Sequence, residues 1–208
     1  MRSEIFYNEG YFHIYNRGVE KRDLFLDNDD RVKFLASITK INDHFDPYVS
    51  IHSFCLMNNH FHFLVQQKQD VGISKFMQRL CNSYAKYFNK KRKRSGRLFE
   101  APFKAKEIVT DEYFIHLSRY IHLNPIELVR GGKLERLRAI ERYEWSSYGY
   151  FLDQAHIPFV DKRKVMSFFK NMNDYRDFIH EWIHDYDKLK YSFDNESFTM
   201  LPQHEVLG

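Results

Sequence analysis

Two cysteines, Cys55 and Cys81, are all the thiols that 208 residues carry. They make no disulfide framework, so the chain is not a small stapled domain of the secreted kind. No apolar run approaches the ~20 residues that a membrane-spanning helix needs. The opening Met1-Arg2-Ser3-Glu4-Ile5 has no apolar stretch resembling a signal peptide. Internal repeats and low-complexity segments are lacking as well. We therefore expect a soluble, cytoplasmic protein with no membrane partner.

What the chain has is aromatic bulk and unevenly placed charge. It holds 20 Phe, 14 Tyr and 2 Trp, enough large apolar pieces for a full core. Lys plus Arg number 32 against 28 Asp plus Glu. Residues 151–208 hold 7 basic and 10 acidic side chains, so the positive excess lies in residues 1–150. Within that part, residues 86–97 (KYFNKKRKRSGR) carry 7 basic side chains and no acid. Such a run suits a solvated helix end, or a surface that meets a phosphate backbone.

The pattern along the chain predicts a compact order of elements. Residues 11–17 (YFHIYNR) read as a strand closed by Gly18. A helix follows from the N-cap candidates at 27–30 to about Asp43, with Val32, Leu35, Ile38 and Ile41 at helical spacing, and Asp46-Pro47 breaks it. Residues 48–57 and 60–67 read as strands joined by the turn Asn58-Asn59. Ile73, Phe76, Met77, Leu80 and Tyr84 mark one face of a long helix over 72–90. A fourth strand at 103–109 precedes a helix from about Asp111 to Leu123, capped by Thr110 and ended by Pro125. The first six elements fit the ferredoxin-like βαββαβ plan, an α+β fold with an antiparallel sheet and helices on one face. Residues 1–150 form the expected main domain. Residues 151–208 form a helical appendage, with candidate helices at 165–172 and 175–189.

Two constellations carry possible chemistry. His60-Phe61-His62 lies in the third strand, so both imidazoles share one face, roughly 6–7 Å apart, and Phe61 and Phe63 share the other. That spacing lets two nitrogens converge on one metal ion. It equally suits two solvated histidines on an exposed sheet. Structural zinc wants four ligands, and no paired cysteine stands near Cys55. On the last helix, Tyr113, His116, Leu117, Tyr120 and Asn124 cluster, with Tyr120 and Asn124 four residues apart on one face. A tyrosine hydroxyl is a poor nucleophile at neutral pH but becomes plausible beside a metal-bound phosphate. The same residues suit an ordinary helix core.

These motifs resemble a family. Leu56-Met57-Asn58-Asn59-His60-Phe61-His62 is similar to the histidine-hydrophobic-histidine (HUH) motif of single-tyrosine transposases. Ser118-Arg119-Tyr120-Ile121-His122-Leu123-Asn124-Pro125 resembles the nucleophile helix of the branch associated with repetitive extragenic palindromes (REP). Tyr15-Asn16-Arg17-Gly18, Gly72-Ile73-Ser74-Lys75-Phe76-Met77, Ser95-Gly96-Arg97-Leu98-Phe99 and Trp145-Ser146-Ser147-Tyr148 agree in order and spacing. The resemblance spans about residues 5–150. It implies a divalent cation (magnesium or manganese) and a single-stranded or hairpin DNA substrate in the nucleoid. It makes His60, His62 and Asn124 metal ligands and Tyr120 the nucleophile, which would leave a 5′-phosphotyrosine and a free 3′-hydroxyl. Lys90, Lys91, Arg92, Lys93, Arg94 and Arg97 become candidates for the hairpin stem, with Arg17 and Lys104 at the sheet edges. Relatives include both monomers and homodimers.

Two positions depart from the family's pattern. Asn58 stands where Pro is frequent, which would loosen the approach to His60. Glu100-Ala101-Pro102 replaces a basic stretch, which would weaken or redirect DNA binding. A domesticated hairpin-binding protein without cleavage is the alternative function. An RNA-binding module follows from topology alone, but the first strand lacks a clear stacking signature.

Overall fold

The computed structural model of the chain describes residues 5–42 and 47–194. Four strands, β1 (Tyr11–Arg17), β2 (Val49–Leu56), β3 (His60–Gln67) and β4 (Lys104–Ile108), make one antiparallel sheet in the order β2-β3-β1-β4. Helix α1 (Asn28–Ile41) connects β1 to β2, and α2 (Gly72–Lys91) connects β3 to β4. This is the βαββαβ arrangement that the order of sequence signals predicts. The expected end of α1 at Asp43 and its breaker at Asp46 lie outside the described residues.

The apolar alternation explains which face the two helices cover. Phe12 and Ile14 of β1 stand opposite Val65 and Phe63 of β3, and all four are buried. Phe34 of α1 packs on Phe61 and Phe63, and Tyr84 of α2 meets Phe34 edge to face at 5.0 Å. Tyr84 donates its hydroxyl proton to the Leu24 carbonyl at 2.6 Å, so its polar end is satisfied inside the core. Gly18 closes β1 because a Cβ there would collide with the Arg22 carbonyl oxygen. Its amide donates to the Asn59 carbonyl at 2.8 Å, which ties the end of β1 to the β2–β3 turn.

An ionic clasp joins α1 to the end of α2. Asp27 caps α1 by accepting from the Asp30 amide at 2.9 Å. Lys91 Nζ lies 2.9 Å from both Asp27 and Asp30, and Arg92 Nη2 lies 2.6 and 2.7 Å from the same two carboxylates. The Asp30 carboxylate is fully buried. Burial works to raise its pKa, but the hydrogen bonds from Lys91 and Arg92 outweigh that and hold it below the ordinary value.

Helix α3 (Asp111–Leu123) lies on the opposite face of the sheet, with Phe114 edge-on to Tyr11 at 5.0 Å and Tyr120 edge-on to His62 at 5.3 Å. Thr110 caps it, accepting from the Tyr113 amide at 3.1 Å. The sequence predicts that Pro125 forces Asn124 out of helical geometry; instead Asn124 stays helical at φ −49°, ψ −38° and opens a 3-10 turn over Asn124–Leu128. Proline is tolerated there because the first residues of a helical turn need no amide donor. The Asn124 side chain also donates to the Tyr120 carbonyl at 2.8 Å and helps close the helix end.

The remaining helices are α4 (Lys133–Arg142), α5 (Tyr148–Phe151), α6 (Arg163–Met166), α7 (Met172–Glu181) and α8 (Tyr186–Asp194). The single helix expected over 175–189 is therefore two. The Trp182 and Ile183 amides shift to carbonyls three residues back, which tightens the last turn, and Asp185 accepts from the amides that begin α8. Residues 145–147 run beside β2, where the Leu56 amide donates to Trp145 at 2.8 Å and cover what would be an open edge.

Buried polar groups bind α3 to these helices. His122 is fully buried, with Nδ1 2.6 Å from the Tyr175 hydroxyl and Nε2 2.7 Å from Ser147 Oγ. Burial pushes its pKa down to about 3, so the ring stays neutral. Ser147 Oγ in turn accepts from the Phe54 amide of β2 at 2.9 Å.

Two stability outcomes follow. Tyr175→Phe leaves His122 Nδ1 buried without its partner and is expected to cost about 1–3 kcal/mol in urea unfolding of the full chain; an unchanged midpoint would show that the ring finds another donor. Asp30 has a depressed folded pKa, so its contribution is complete above the unfolded carboxylate value near 4 and is lost as pH falls through the lower folded value. Asp30→Asn should cost about 3 kcal/mol at pH 7. That difference should shrink when unfolding is measured below about pH 4, and a pH-independent difference would contradict the clasp.

Candidate active site

The site grows from the register of β1 against β3. Residues directly opposite in an antiparallel pair point to the same face. Arg17 stands opposite His60, Tyr15 opposite His62, and His13 opposite Leu64. Arg17, Tyr15, His13, His60 and His62 therefore share the face that α3 covers, and the phenylalanines face α1 and α2.

The proton positions around His60 follow from its neighbours. Asn59 Nδ2 donates to the Lys21 carbonyl at 3.1 Å, which turns Asn59 Oδ1 toward His60 Nδ1 at 2.7 Å. His60 therefore donates from Nδ1 and carries a lone pair on Nε2. That nitrogen faces Asn124 Oδ1 at 3.5 Å. The Asn124 amide is oriented too, since its Nδ2 is spent on the Tyr120 carbonyl. Both His60 ring nitrogens thus face carboxamide oxygens, and a neutral ring can donate to only one of them.

His62 is buried, and its Nδ1 lies 2.9 Å from His13 Nε2 on the neighbouring strand. The two rings stack at 5.1 Å, and Tyr15 stacks on both, at 4.8 Å from His13 and 5.7 Å from His62. Burial lowers the pKa of all three histidines: His13 to about 3, His62 well below its ordinary value, and His60 below it, with Glu127 working to raise the last. At neutral pH these are neutral imidazoles, the form that can donate a lone pair.

Tyr120 closes the site from α3. Its ring meets His62 edge-on, while Phe193 of α8 stacks on it at 4.6 Å and Tyr186 lies nearly parallel at 6.3 Å. It is only 3% exposed. Even so, it lines a cavity of about 490 Å³ together with His60, His62, Tyr15 and Arg17. Tyr113 lies on the same side of α3, stacked on Phe193 at 5.5 Å. His116 does not join them; it packs against Phe178 and Trp182 on the α7 side.

Charge around the cavity is mixed. Lys21 and Lys104 line it, with Lys104 over the Tyr15 ring. Arg17 is paired with Glu100 through both its Nε and its Nη2, the latter at 2.9 Å. Lys190 of α8 lies 2.6 Å from Glu127. Of the basic run, Lys91 and Arg92 belong to the clasp on Asp27 and Asp30, and Arg94 donates to the Arg97 carbonyl at 3.0 Å. Lys90, Lys93 and Arg97 are exposed, and none of the run lines the cavity. Asn58, at the position where relatives often have Pro, is held rather than loose. Its Oδ1 accepts from Arg31 at 2.6 Å and its carbonyl from Leu24 and Phe25.

His13, Tyr15, Glu127 and Lys190 line or adjoin the site, and the sequence assigns none of them a role. The first two alternate with Arg17 along β1, so the strand period was the available signal, but only the register against β3 says that they stand beside His62. Among the described residues no three His, Cys, Asp or Glu side chains form a metal cluster. The donors that the resemblance implies are two imidazoles and a carboxamide, of which His60 Nε2 and Asn124 Oδ1 lie 3.5 Å apart. No described helix is long and apolar enough to cross a membrane.

None of the curated proteins matches the chain. A solved structure of a REP-associated tyrosine transposase bound to a REP hairpin is similar in fold, with a TM-score of 0.58 and 12% identity over 77% of this chain and 96% of that one. The sequence profile described as "Transposase IS200 like" matches residues 6–124, which contain both histidines, the tyrosine and the carboxamide. The chain belongs to the IS200-like transposase family.

Proposed function

We propose that the chain is a divalent-metal-dependent transposase that cuts and rejoins single-stranded DNA near hairpins through a phosphotyrosine on Tyr120. Residues 1–150 carry the chemistry, and residues 151–208 are the appendage, of which the described helices α6 to α8 support α3. The observation that carries this reading is the approach of His60 Nε2 to Asn124 Oδ1 at 3.5 Å, beside the His62 ring that Tyr120 meets edge-on. Electron-rich atoms repel at that distance unless a cation or a proton lies between them. The Asn124 oxygen is a donor that suits magnesium or manganese, and of the two manganese accepts imidazole nitrogen better. His60, His62 and Asn124 would hold it. Once bound, such a cation withdraws charge from a phosphate and stabilises the leaving oxygen.

The chain's own residues do the rest. Tyr120 supplies the oxygen that forms the new bond to phosphorus as the bond to the 3′ oxygen breaks and that oxygen takes a proton. The phosphoester energy is kept, so the reversal needs no nucleotide cofactor. Arg17 and Lys104 hold the phosphates that enter the cavity. Lys90, Lys93, Arg94 and Arg97 meet the stem; Lys91 and Arg92 could join only by sharing their carboxylates. Tyr120 stands against His62 of the same chain, so one copy carries a complete set of groups, whether it works as a monomer or a homodimer. The hairpin DNA held by the structurally similar transposase supports the choice of substrate.

One arrangement favours the binding-only alternative: the Tyr120 ring is covered by Phe193 and Arg17 is neutralised by Glu100. A hairpin oligonucleotide with single-stranded flanks, incubated with the full chain and manganese, separates the two. We expect a covalent adduct on a denaturing gel that vanishes with Tyr120→Phe, with His60→Ala and with chelator. An adduct that survives Tyr120→Phe transfers the role to another residue, Tyr113 first. Tight hairpin binding with no adduct under any flank establishes the binding-only function.

His13 has a defined part in this scheme. For His62 to offer Nε2, its proton must sit on Nδ1 and be donated to His13 Nε2, 2.9 Å away. His13→Phe is expected to weaken manganese binding, read from free Mn²⁺ by electron paramagnetic resonance, about ten-fold. His13→Gln, which keeps an acceptor, should restore most of it. Equal affinity in all three proteins would remove His13 from the site.

A further inference from the structure

Breaking the bond between phosphorus and the 3′ oxygen would release an alkoxide. An alkoxide is a strong base, and it leaves slowly unless a proton reaches it as the bond opens. The group that gives that proton must line the cavity and be able both to lose a proton and to regain it. Arg17, Lys21, Lys104 and Lys190 are the cations that line the cavity. Arg17 holds its proton at any ordinary pH, so it can bind a phosphate but cannot act as an acid. Lys21 and Lys104 reach the cavity from the sheet. Lys21 follows the end of β1, and Lys104 stands opposite Tyr15 in the register of β1 against β4, with its ammonium over the Tyr15 ring. Lys190 comes from the other wall, the one that carries Tyr120.

Helix α8 sets the position of Lys190. Tyr186, Lys190 and Phe193 are spaced by four and then three residues, so they share one face of the helix. Phe193 stacks on the Tyr120 ring at 4.6 Å, and Tyr186 lies nearly parallel to that ring at 6.3 Å. Lys190 therefore leaves the helix between the two residues that bracket Tyr120. Its ammonium donates to Glu127 Oε1 at 2.6 Å, in the 3-10 turn that continues α3 past Asn124. The Tyr186 hydroxyl donates to the same oxygen at 2.9 Å. A carboxylate shared in this way directs the ammonium toward the end of α3 that carries Tyr120 and Asn124. The Lys190 side chain is still 39% exposed, open enough to meet a substrate. Lys188, the other lysine of α8, is turned away to Asp185 at 2.6 Å.

We propose that Lys190 is the general acid that protonates the leaving 3′ oxygen. The inference rests on the phosphotyrosine reading above and adds to it a catalytic residue from outside residues 1–150. As the Tyr120 oxygen bonds to phosphorus, it gives its own proton to water. As the bond from phosphorus to the 3′ oxygen breaks, that oxygen takes a proton from the Lys190 ammonium, which becomes a neutral amine. In the rejoining direction the amine takes the proton back from the 3′-hydroxyl as that oxygen attacks the phosphotyrosine, and the released Tyr120 oxygen recovers a proton from water.

The test measures the single-turnover rate of adduct formation by the full chain with saturating manganese and hairpin DNA. Two substrates are compared, one with the natural oxygen at the cut and one with sulfur in place of the bridging 3′ oxygen. A thiolate leaves without a proton, because a thiol is a far stronger acid than an alcohol. Lys190→Met is expected to slow the oxygen substrate about 100-fold and to leave the sulfur substrate nearly unchanged. Lys190→Arg, which keeps the charge but cannot release a proton, should show the same split. A structural or phosphate-binding role would slow both substrates alike, and Lys190→Arg would then recover the rate. Equal loss on both substrates, recovery in Lys190→Arg, or an unchanged rate in Lys190→Met overturns the assignment. A parent chain that forms no adduct on either substrate removes the phosphotyrosine chemistry itself, an outcome distinct from a parent chain that cuts and a Lys190 variant that shows no split.

Discussion

The pairing of β1 with β3 is the constraint on which the candidate chemistry depends. A strand has a two-residue repeat, so a slip of one residue would turn every side chain to the other face. Here such a slip would drive His60 and His62 toward Phe34 and bring Phe61 and Phe63 out beside Tyr120. The register is held at both ends. Gly18 is tied to Asn59 at one end, and Glu9 and Gly10 exchange hydrogen bonds with Gln67 at the other. Three imidazoles can then sit in a low-dielectric layer, because each stays neutral and has a partner of suitable geometry. His60 has Asn59, and His62 and His13 have each other.

Helix α3 converts that register into a site, and it cannot stand alone. Every residue from Tyr113 to Leu123 is buried, on both the sheet side and the outer side. A helix buried all round needs a second layer. That layer is α5 to α8, and it meets polar residues as well as apolar ones. Arg119 is 1% exposed; it lies 3.4 Å from the Phe178 ring and pairs with Glu181 at 3.1 Å. His122 links Tyr175 to Ser147. Polar pairs of this sort fix one rotation of α3, since any other rotation leaves a buried group unsatisfied. The position of Tyr120 against His62 is thus determined from behind as much as from in front.

Much of this fold is legible in the sequence because it depends on local period. The strands of β1 and β3, the caps at Asp27 and Thr110 and the length of α2 all come from patterns within one segment. The pairing of two histidines on one face is legible for the same reason. Non-local geometry is not. His13 looks like any strand residue until β3 is laid beside it. Lys91 and Arg92 look like free phosphate ligands until α1 brings Asp27 and Asp30 against them. The break at 182–185 is not legible because its apolar residues continue a helical period, whereas the structure buries Ile183 and Tyr186 by turning the chain between them. The end of α3 departs from the rule for residues before proline, because Pro125 sits at the start of a 3-10 turn where no amide donor is needed.

The Arg17–Glu100 pair shows how magnitude decides between two readings of a sequence departure. A carboxylate in place of a basic stretch suggests a surface hostile to DNA. The structure places Glu100 on Arg17, so the acid cancels a charge at the mouth of the cavity. Both side chains are over 40% exposed, so solvent screens the pair and little of its attraction survives. A phosphate that displaces Glu100 gains a charge-assisted contact with the same guanidinium and releases counterions, a gain of similar or larger size. On the proposed function, Glu100 would tune the affinity of the cavity for phosphate without closing it, and the exchange would cost no rearrangement of β1. Arg17 stays directed at the cavity in either state, because its backbone position is fixed opposite His60.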